Sequence, residues 1–127
     1  MSDALRQRLA GARKLSLDDY RAALRRRQDI RDRYAELAGQ YDAFITLGAT
    51  GAAPIGLGWT GDPVFNVPAS LLGAPAISLP LLFDQRMPLG LQIIGHPEQD
   101  AHVMAVAQWV WQSYIPTGQE HRATADA

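Results

Sequence analysis

The sequence predicts an α/β fold in which a small, mixed sheet is flanked by helices. Apolar residues recur at near-helical spacing over 17–37 and again over 98–114, which is typical of amphipathic helices. Short apolar runs at 43–47, 76–79 and 89–94 have the length of buried strands. These runs are very apolar for the strands of a three-stranded sheet. The pattern therefore also indicates that they belong to a larger sheet.

Two helices are predicted before the first strand. Residues 3–13 form a short helix, and a stronger one follows Ser16, which stands three residues before Asp19 as in a capping box. Gly39 is a natural end for this second helix. Arginines and acidic residues interleave along it, including the run Arg25-Arg26-Arg27. This pattern predicts a solvated ionic face opposite an apolar face that covers other residues.

The remaining chain divides into a long loop, a strand pair and a final helix. Residues 48–68 are rich in Gly, Ala and Pro, which predicts a loop of about twenty residues, and 68–73 form a short helical turn after it. Polar residues at 83–88 predict a turn between two antiparallel strands. We assign residues 1–115 to one domain and 116–127 to a frayed polar tail.

The composition excludes several classes of protein. The 127 residues carry a net charge of −1, so neither nucleic acid nor an anionic membrane is expected as a partner. No apolar run approaches the roughly 20 residues of a membrane helix, and the first residues lack an apolar signal core. The absence of cysteine excludes disulfides and thiolate chemistry. A cytoplasmic protein is the simplest expectation.

One motif matches a dinucleotide-binding fingerprint by letter only. Gly56, Gly58 and Gly61 have the G-x-G-x-x-G spacing, and Asp84 follows about twenty residues later. The fingerprint must follow its strand directly, yet the motif lies well beyond the strand that ends at Leu47. Prolines after the motif also leave no room for a crossover helix. We therefore expect no cofactor.

The residues alone offer no catalytic constellation. Ser70 and Ser78 do not stand in a G-x-S-x-G motif and are expected to be structural. His96, His102 and His121 lack the i, i+4 spacing of a helical metal site, so we expect them to be structural or solvated. The sequence therefore predicts no metal site.

The segment 60–68 is the strongest candidate for a binding site. Polar residues alternate there with apolar ones in an irregular loop, which suits the wall of a pocket that is mostly apolar with a few placed polar groups. A second interpretation is equally open, in which Asp62 and Asn66 only tie the loop to itself, as turn residues do.

Four strings of residues resemble the amidase-signature family and occur in the order of that family. Residues 41–46 (YDAFIT) resemble a strand near the end of these enzymes, and 60–68 (TGDPVFNVP) resemble their late substrate-side loop. Residues 71–80 (LLGAPAISLP) and 88–95 (PLGLQIIG) are similar to the two closing strands. The resemblance covers residues 4–112 and identifies the predicted domain as a C-terminal amidase-like region.

The resemblance implies hydrolysis of a carboxylic amide C–N bond by a Ser nucleophile, a bridging Ser in a cis peptide and a Lys base. This sequence has no Gly-Gly-Ser-Ser-Gly-like run, and its single lysine, Lys14, precedes a helix cap. No catalytic residue is therefore assigned. The resemblance does imply substrate-binding roles for a set of loop residues, namely Thr60, Asp62, Phe65 and Asn66.

Two positions depart from the family pattern. Leu47 stands where the family usually has Pro, which leaves the course of the following loop open. Ala69 stands where many members have Trp, which suggests a roomier pocket wall.

Two functions are predicted. In the first, the chain is the C-terminal segment of an amide hydrolase, forms pocket wall for a small-molecule amide in the intact enzyme, and is inactive alone. In the second, it is a stand-alone binding or assembly module that self-associates or complements a catalytic partner chain. The second function is open because a piece of a larger sheet exposes strand edges and apolar faces.

Overall fold

The computed structural model describes residues 2–114, and the predicted polar tail at 116–127, with His121, lies outside the described residues. The elements in chain order are α1 (Asp3–Ala12), α2 (Leu17–Ala35), β1 (Phe44–Leu47), α3 (Val67–Leu72), β2 (Ala76–Asp84), β3 (Met87–Ile94) and α4 (Asp100–Tyr114). A small sheet with flanking helices confirms the predicted α/β fold.

The strand directions differ from the predicted mixed sheet. β3 lies between β1 and β2, and it pairs antiparallel with both. β1 and β2 therefore run in the same direction, but β3 separates them. No parallel ladder forms among the described strands, and the sheet of residues 2–114 is antiparallel throughout.

The hairpin of β2 and β3 is longer than the sequence predicts. The predicted turn covers 83–88, whereas the chain turns only at Gln85 and Arg86, whose φ angles are 50° and 66°. Two consecutive positive φ angles match a tight turn to the twist of its strands. β2 and β3 stay paired up to this turn. The register of β2 shifts around Pro80, and this irregularity accommodates a residue that has no amide donor.

The core lies between α4 and one face of the sheet. The row of side chains on this face consists of Ile45, Ile93 and Ile77. Ile93 is fully buried against Val103 and Ala107 of α4, which confirms the predicted apolar stripe of the last helix. Side chains alternate across a strand, so the next row faces the other side. That row consists of Thr46, Gln92 and Ser78.

The start of α2 is the predicted capping box. The Ser16 hydroxyl accepts a hydrogen bond from the Asp19 amide at 3.1 Å, and the Asp19 carboxylate accepts one from the Ser16 amide at 2.9 Å. The Ser16 hydroxyl also donates to the Asp19 carboxylate at 2.6 Å, and this bond, together with the one from the Ser16 amide, holds the pKa of the Asp19 carboxyl below its ordinary value. The carboxylate therefore stays charged near the positive end of the helix dipole.

Only the last turns of α2 reach the rest of the molecule. The Tyr34 hydroxyl donates to the Gly95 carbonyl at 2.9 Å, and Arg31 Nε donates to the Leu71 carbonyl at 3.0 Å. Burial raises the pKa of the Tyr34 phenol, which keeps it a protonated donor at neutral pH. The apolar face of α2 is predicted from the sequence to pack on other residues, but only part of it does so. Its exposed members include Leu17, Tyr20 and Leu24.

Candidate functional site

A cleft of about 1130 Å³ lies between the loop at 48–66 and the sheet face opposite α4. Its floor forms where β1 ends, because the Gly48 amide donates to the Gly90 carbonyl at 2.7 Å. A Cβ on Gly90 would collide with the Ser78 hydroxyl oxygen, and a Cβ on Gly48 would lie 3.0 Å from the same atom. The two glycines therefore let the backbone and the Ser78 hydroxyl share the floor of the cleft.

Asn66 fastens the end of the loop to the sheet. Its Nδ2 donates to the Gly48 carbonyl at 3.2 Å, and its Oδ1 accepts from Gln92 Nε2 at 3.0 Å. Because a carbonyl oxygen can only accept, Gly48 fixes the orientation of the Asn66 amide and, through it, that of Gln92. Asn66 precedes α3 but makes no side-chain cap, so its amide is free for this bridge.

Two carboxylates hold other parts of the loop. Asp62 Oδ1 accepts from the Val64 amide at 3.0 Å, which is an Asx turn. Asp84 Oδ2, from the end of β2, accepts from the Ala52 amide at 2.7 Å. The interpretation as a local turn therefore describes Asp62, whereas Asn66 links the loop to two strands of the sheet.

Three of the four predicted substrate-binding residues lie together. Thr60, Asp62 and Asn66 line the cleft. Phe65 is half-buried in the same loop and is not among the lining residues. The substrate-binding role of these four residues stays a prediction. The structure adds that three of them line the same cleft.

The sheet contributes a part of the site that the sequence does not predict. Ser78 is expected from the sequence to be structural, and no role is predicted for Gly48, Gly90 or Gln92. In the structure Ser78, Gly48 and Gly90 line the cleft, and Gln92 donates to Asn66 of its wall. A signal was present, because Gly90 interrupts an apolar strand and a glycine inside a strand often marks close backbone approach.

The cleft contains a hydroxyl without a base to activate it. Ser78 lines the cleft, but no His or Lys does so among the residues that the structure describes. A serine hydroxyl is a weak nucleophile until an adjacent base takes its proton. The amide of Asn66 and the nearby carboxylates instead offer hydrogen-bond donors and acceptors to the cleft.

His96 and His102 lie away from the cleft. His96 is buried, with its ring centroid 5.2 Å from that of Tyr34 and its Nε2 2.9 Å from the Tyr41 carbonyl. His102 lies 3.2 Å from Asp42 in a pair that solvent reaches. These positions agree with the structural or solvated roles predicted for both histidines.

The glycine motif at 56–61 lies in an exposed stretch of the loop, and α3 begins only at Val67, so the motif does not open a helix. Within residues 2–114, no group of three or more potential metal ligands is placed to hold an ion. None of the helices in the described part is long and apolar enough to cross a bilayer.

Asn66→Ala is expected to lower the free energy of unfolding by about 1–2 kcal/mol. The change removes two hydrogen bonds, each worth about 1 kcal/mol, and leaves the buried Gln92 amide without its partner. Urea denaturation measures the effect. Thr60→Ala is the control, because Thr60 is an exposed residue of the same cleft wall. Equal stability of the Asn66 variant and the parent chain would contradict the proposed bridge.

The fold is one that solved amidase structures share. The amidase family profile matches residues 2–104, which is most of the chain, and the chain therefore belongs to the amidase family. This assignment confirms the resemblance that the sequence motifs predicted.

Individual relatives agree with the family assignment. The chain is 34% identical to a glutamyl-tRNA(Gln) amidotransferase subunit of Thermotoga maritima over 96 residues, which cover 70% of this chain and 20% of the relative. It is 35% identical to a fatty acid amide hydrolase of Medicago truncatula over 115 residues, or 80% of this chain and 19% of the relative. The chain thus spans about a fifth of the length of these relatives.

Solved structures share the fold. A crystal structure of an amidase superposes with a TM-score of 0.79 at 28% identity, covering 90% of this chain and 29% of that one. The crystal structure of the Thermotoga maritima amidotransferase subunit gives a TM-score of 0.61 at 31% identity, covering 85% and 26%.

Proposed function

We propose that this chain forms one wall of the substrate pocket of an amide hydrolase, and that the Ser nucleophile and Lys base come from polypeptide outside these 127 residues. The observation that carries the proposal is the cleft in which Asn66 is held between the Gly48 carbonyl and Gln92. Family membership supplies the reaction class, which is hydrolysis of a carboxylic amide C–N bond.

The groups that line the cleft are suited to binding a ligand and not to reacting with it. A carboxamide offers two N–H donors and one carbonyl acceptor. The Asp62 and Asp84 carboxylates and the backbone of the floor provide acceptors, and the Asn66 amide provides both kinds of group. Asp62 and Asp84 already accept hydrogen bonds from backbone amides of the loop. These bonds hold the wall in position before a ligand binds.

Nuclear magnetic resonance of the ¹⁵N-labelled chain tests the proposal. Addition of a small primary carboxamide is expected to shift the backbone amides of Gly48, Asn66 and Gly90 in a saturable way. The corresponding carboxylic acid, which lacks the N–H₂ donors, is the matched control ligand. Shifts that are absent from the cleft, or equal for amide and acid, would count against an amide-binding wall.

A second function is favoured by the exposed apolar surface. Of the large apolar side chains in the described residues, more are exposed than buried, and several of the exposed ones lie on α1 and α2. Extended apolar patches on a protein surface often mark sites of association. We propose as the alternative an assembly module that complements a catalytic partner chain. A stable complex with a chain that carries the Ser and Lys would favour this alternative.

A further inference from the structure

Gln92 is a buried polar residue in an apolar strand. It is 5% exposed, and its neighbours along β3 are Leu91 and Ile93. Its Nε2 donates to Asn66 Oδ1 at 3.0 Å, but its Oε1 has no hydrogen-bond partner among the described residues. A buried acceptor without a partner destabilises a fold, and an apolar residue of similar volume avoids that cost. The reason for an amide at this position therefore lies in what its one hydrogen bond does.

Gln92 is enclosed by residues of this chain. Both neighbouring strands pair with β3 at this position, through Thr46 of β1 and Ser78 of β2. The Oε1 atom itself is shielded from solvent. A ligand or further polypeptide that enters the cleft therefore meets Asn66, which is exposed and lines the cleft, and not Gln92.

The Asn66 amide is held at two points and has capacity at two others. A side-chain amide has two N–H donors, and its carbonyl oxygen has two lone pairs. The Gly48 carbonyl accepts from one N–H, and Gln92 Nε2 occupies one lone pair of Oδ1. One N–H and one lone pair therefore remain for a ligand in the cleft. A carboxamide complements this pair with a carbonyl and an N–H, whereas a carboxylate offers acceptors only.

The hydrogen bond from Gln92 fixes the acceptor side of the Asn66 amide. With the Gly48 carbonyl alone, the Asn66 side chain could still tilt about a single hydrogen bond. A second bond, from a side chain that is itself enclosed, fixes the plane of the amide. Its free lone pair then stays in place, where it attracts an N–H and repels a carboxylate oxygen.

We propose that Gln92 is a positioning residue that acts through Asn66 and lets the cleft distinguish an amide from a carboxylic acid, an inference that rests on the proposed amide-binding wall. Hydrolysis converts R–CO–NH2 and H2O into R–COO⁻ and NH4⁺. The carboxylate product therefore lacks the N–H that the free lone pair of Asn66 accepts. The same pair of residues that holds the amide substrate thus favours release of the acid.

The test compares the binding of a small primary carboxamide and its carboxylic acid by nuclear magnetic resonance. Gln92→Met keeps the volume of the side chain and removes its hydrogen bond. It is expected to lower the preference for the amide about fivefold, which is the effect of one hydrogen bond on a binding constant. Its midpoint of urea unfolding is expected to be unchanged or higher, whereas a merely structural role would lower it. Ile94→Met is the matched control, because Ile94 is buried on the same face of β3, and it is expected to retain the preference.

Relaxation of the ¹⁵N-labelled Asn66 side-chain amide measures the positioning without a ligand. Its order parameter is expected to fall in Gln92→Met and to stay the same in Ile94→Met. An unchanged order parameter in Gln92→Met would overturn the proposal, and so would a preference for the amide that this variant retains. A parent chain that binds amide and acid equally would contradict the amide-binding wall and the discrimination together. A fall in the order parameter would in that case still support positioning of Asn66 by Gln92.

Discussion

Ile93→Ala is expected to lower the free energy of unfolding by about 2–5 kcal/mol, the usual range when a buried Ile is truncated and a cavity remains. Ile93 is fully buried in the middle strand and packs against Val103 and Ala107 of α4. The surrounding groups cannot collapse easily, because β3 is held by ladders on both sides. Since small domains are stable by about 5–15 kcal/mol, the loss is a large share of the total.

Urea denaturation followed by circular dichroism measures this loss. Ile55→Ala is the matched control, because the same atoms are removed from a fully exposed side chain in the loop. It is expected to leave the midpoint unchanged. Equal effects of the two variants would mean that the contact between α4 and the sheet does not hold the fold together.

Gly95→Ala is expected to destabilise the fold by about 1–3 kcal/mol, as overpacking of a filled core does. A Cβ at this position would lie 2.7 Å from Val103 Cβ and 3.4 Å from Pro75 Cγ. Val103 is almost completely buried, so it has no free direction in which to move. The Gly95 backbone is also held on both sides, since its amide donates to Pro75 and its carbonyl accepts from Tyr34.

Thermal unfolding of Gly95→Ala and Gly39→Ala separates crowding from the general effect of replacing a glycine. A Cβ on Gly39 meets nothing within 4 Å, and the change there is expected to be neutral or slightly stabilising. A melting temperature of Gly95→Ala equal to that of the Gly39 variant would contradict the close packing of α4 on the end of β3.

The helices and β1 are predictable because their signals are local. Ser16 and Asp19 are three residues apart, and the capping box depends on nothing else. The apolar stripe of α4 repeats within the helix, and its core members Val103 and Ala107 are one helical turn apart. Near Phe44 the short apolar run has the length of a single strand, which is what the structure contains.

The length of the hairpin and the strand order are not local properties. Pro80 favours an end to the strand, and β2 continues past it to Asp84 because pairing with β3 outweighs the local preference. The sequence alone also cannot tell which strand lies in the middle. That choice depends on pairs far apart in the sequence, such as Phe44 with Ile94.

The sequence predicts the loop residues of the candidate site but not the sheet residues that form its floor. The loop residues Thr60, Asp62 and Asn66 stand close together in the chain, so their pattern is visible. Ser78 and Gly90 come together only through the β2–β3 ladder, and Gln92 meets Asn66 across 26 positions of sequence. Phe65 lies in the same string but does not line the cleft.

An assay of amide hydrolysis by the purified chain alone, with ammonia release measured from simple primary carboxamides, tests directly whether the chain binds without reacting. A rate equal to that of buffer is expected, because Ser78 is the serine that lines the cleft and no His or Lys accompanies it there among the described residues. Ammonia release that rises in proportion to the concentration of the chain, and is abolished by Ser78→Ala, would show that the chain is catalytic by itself and would overturn the proposed role.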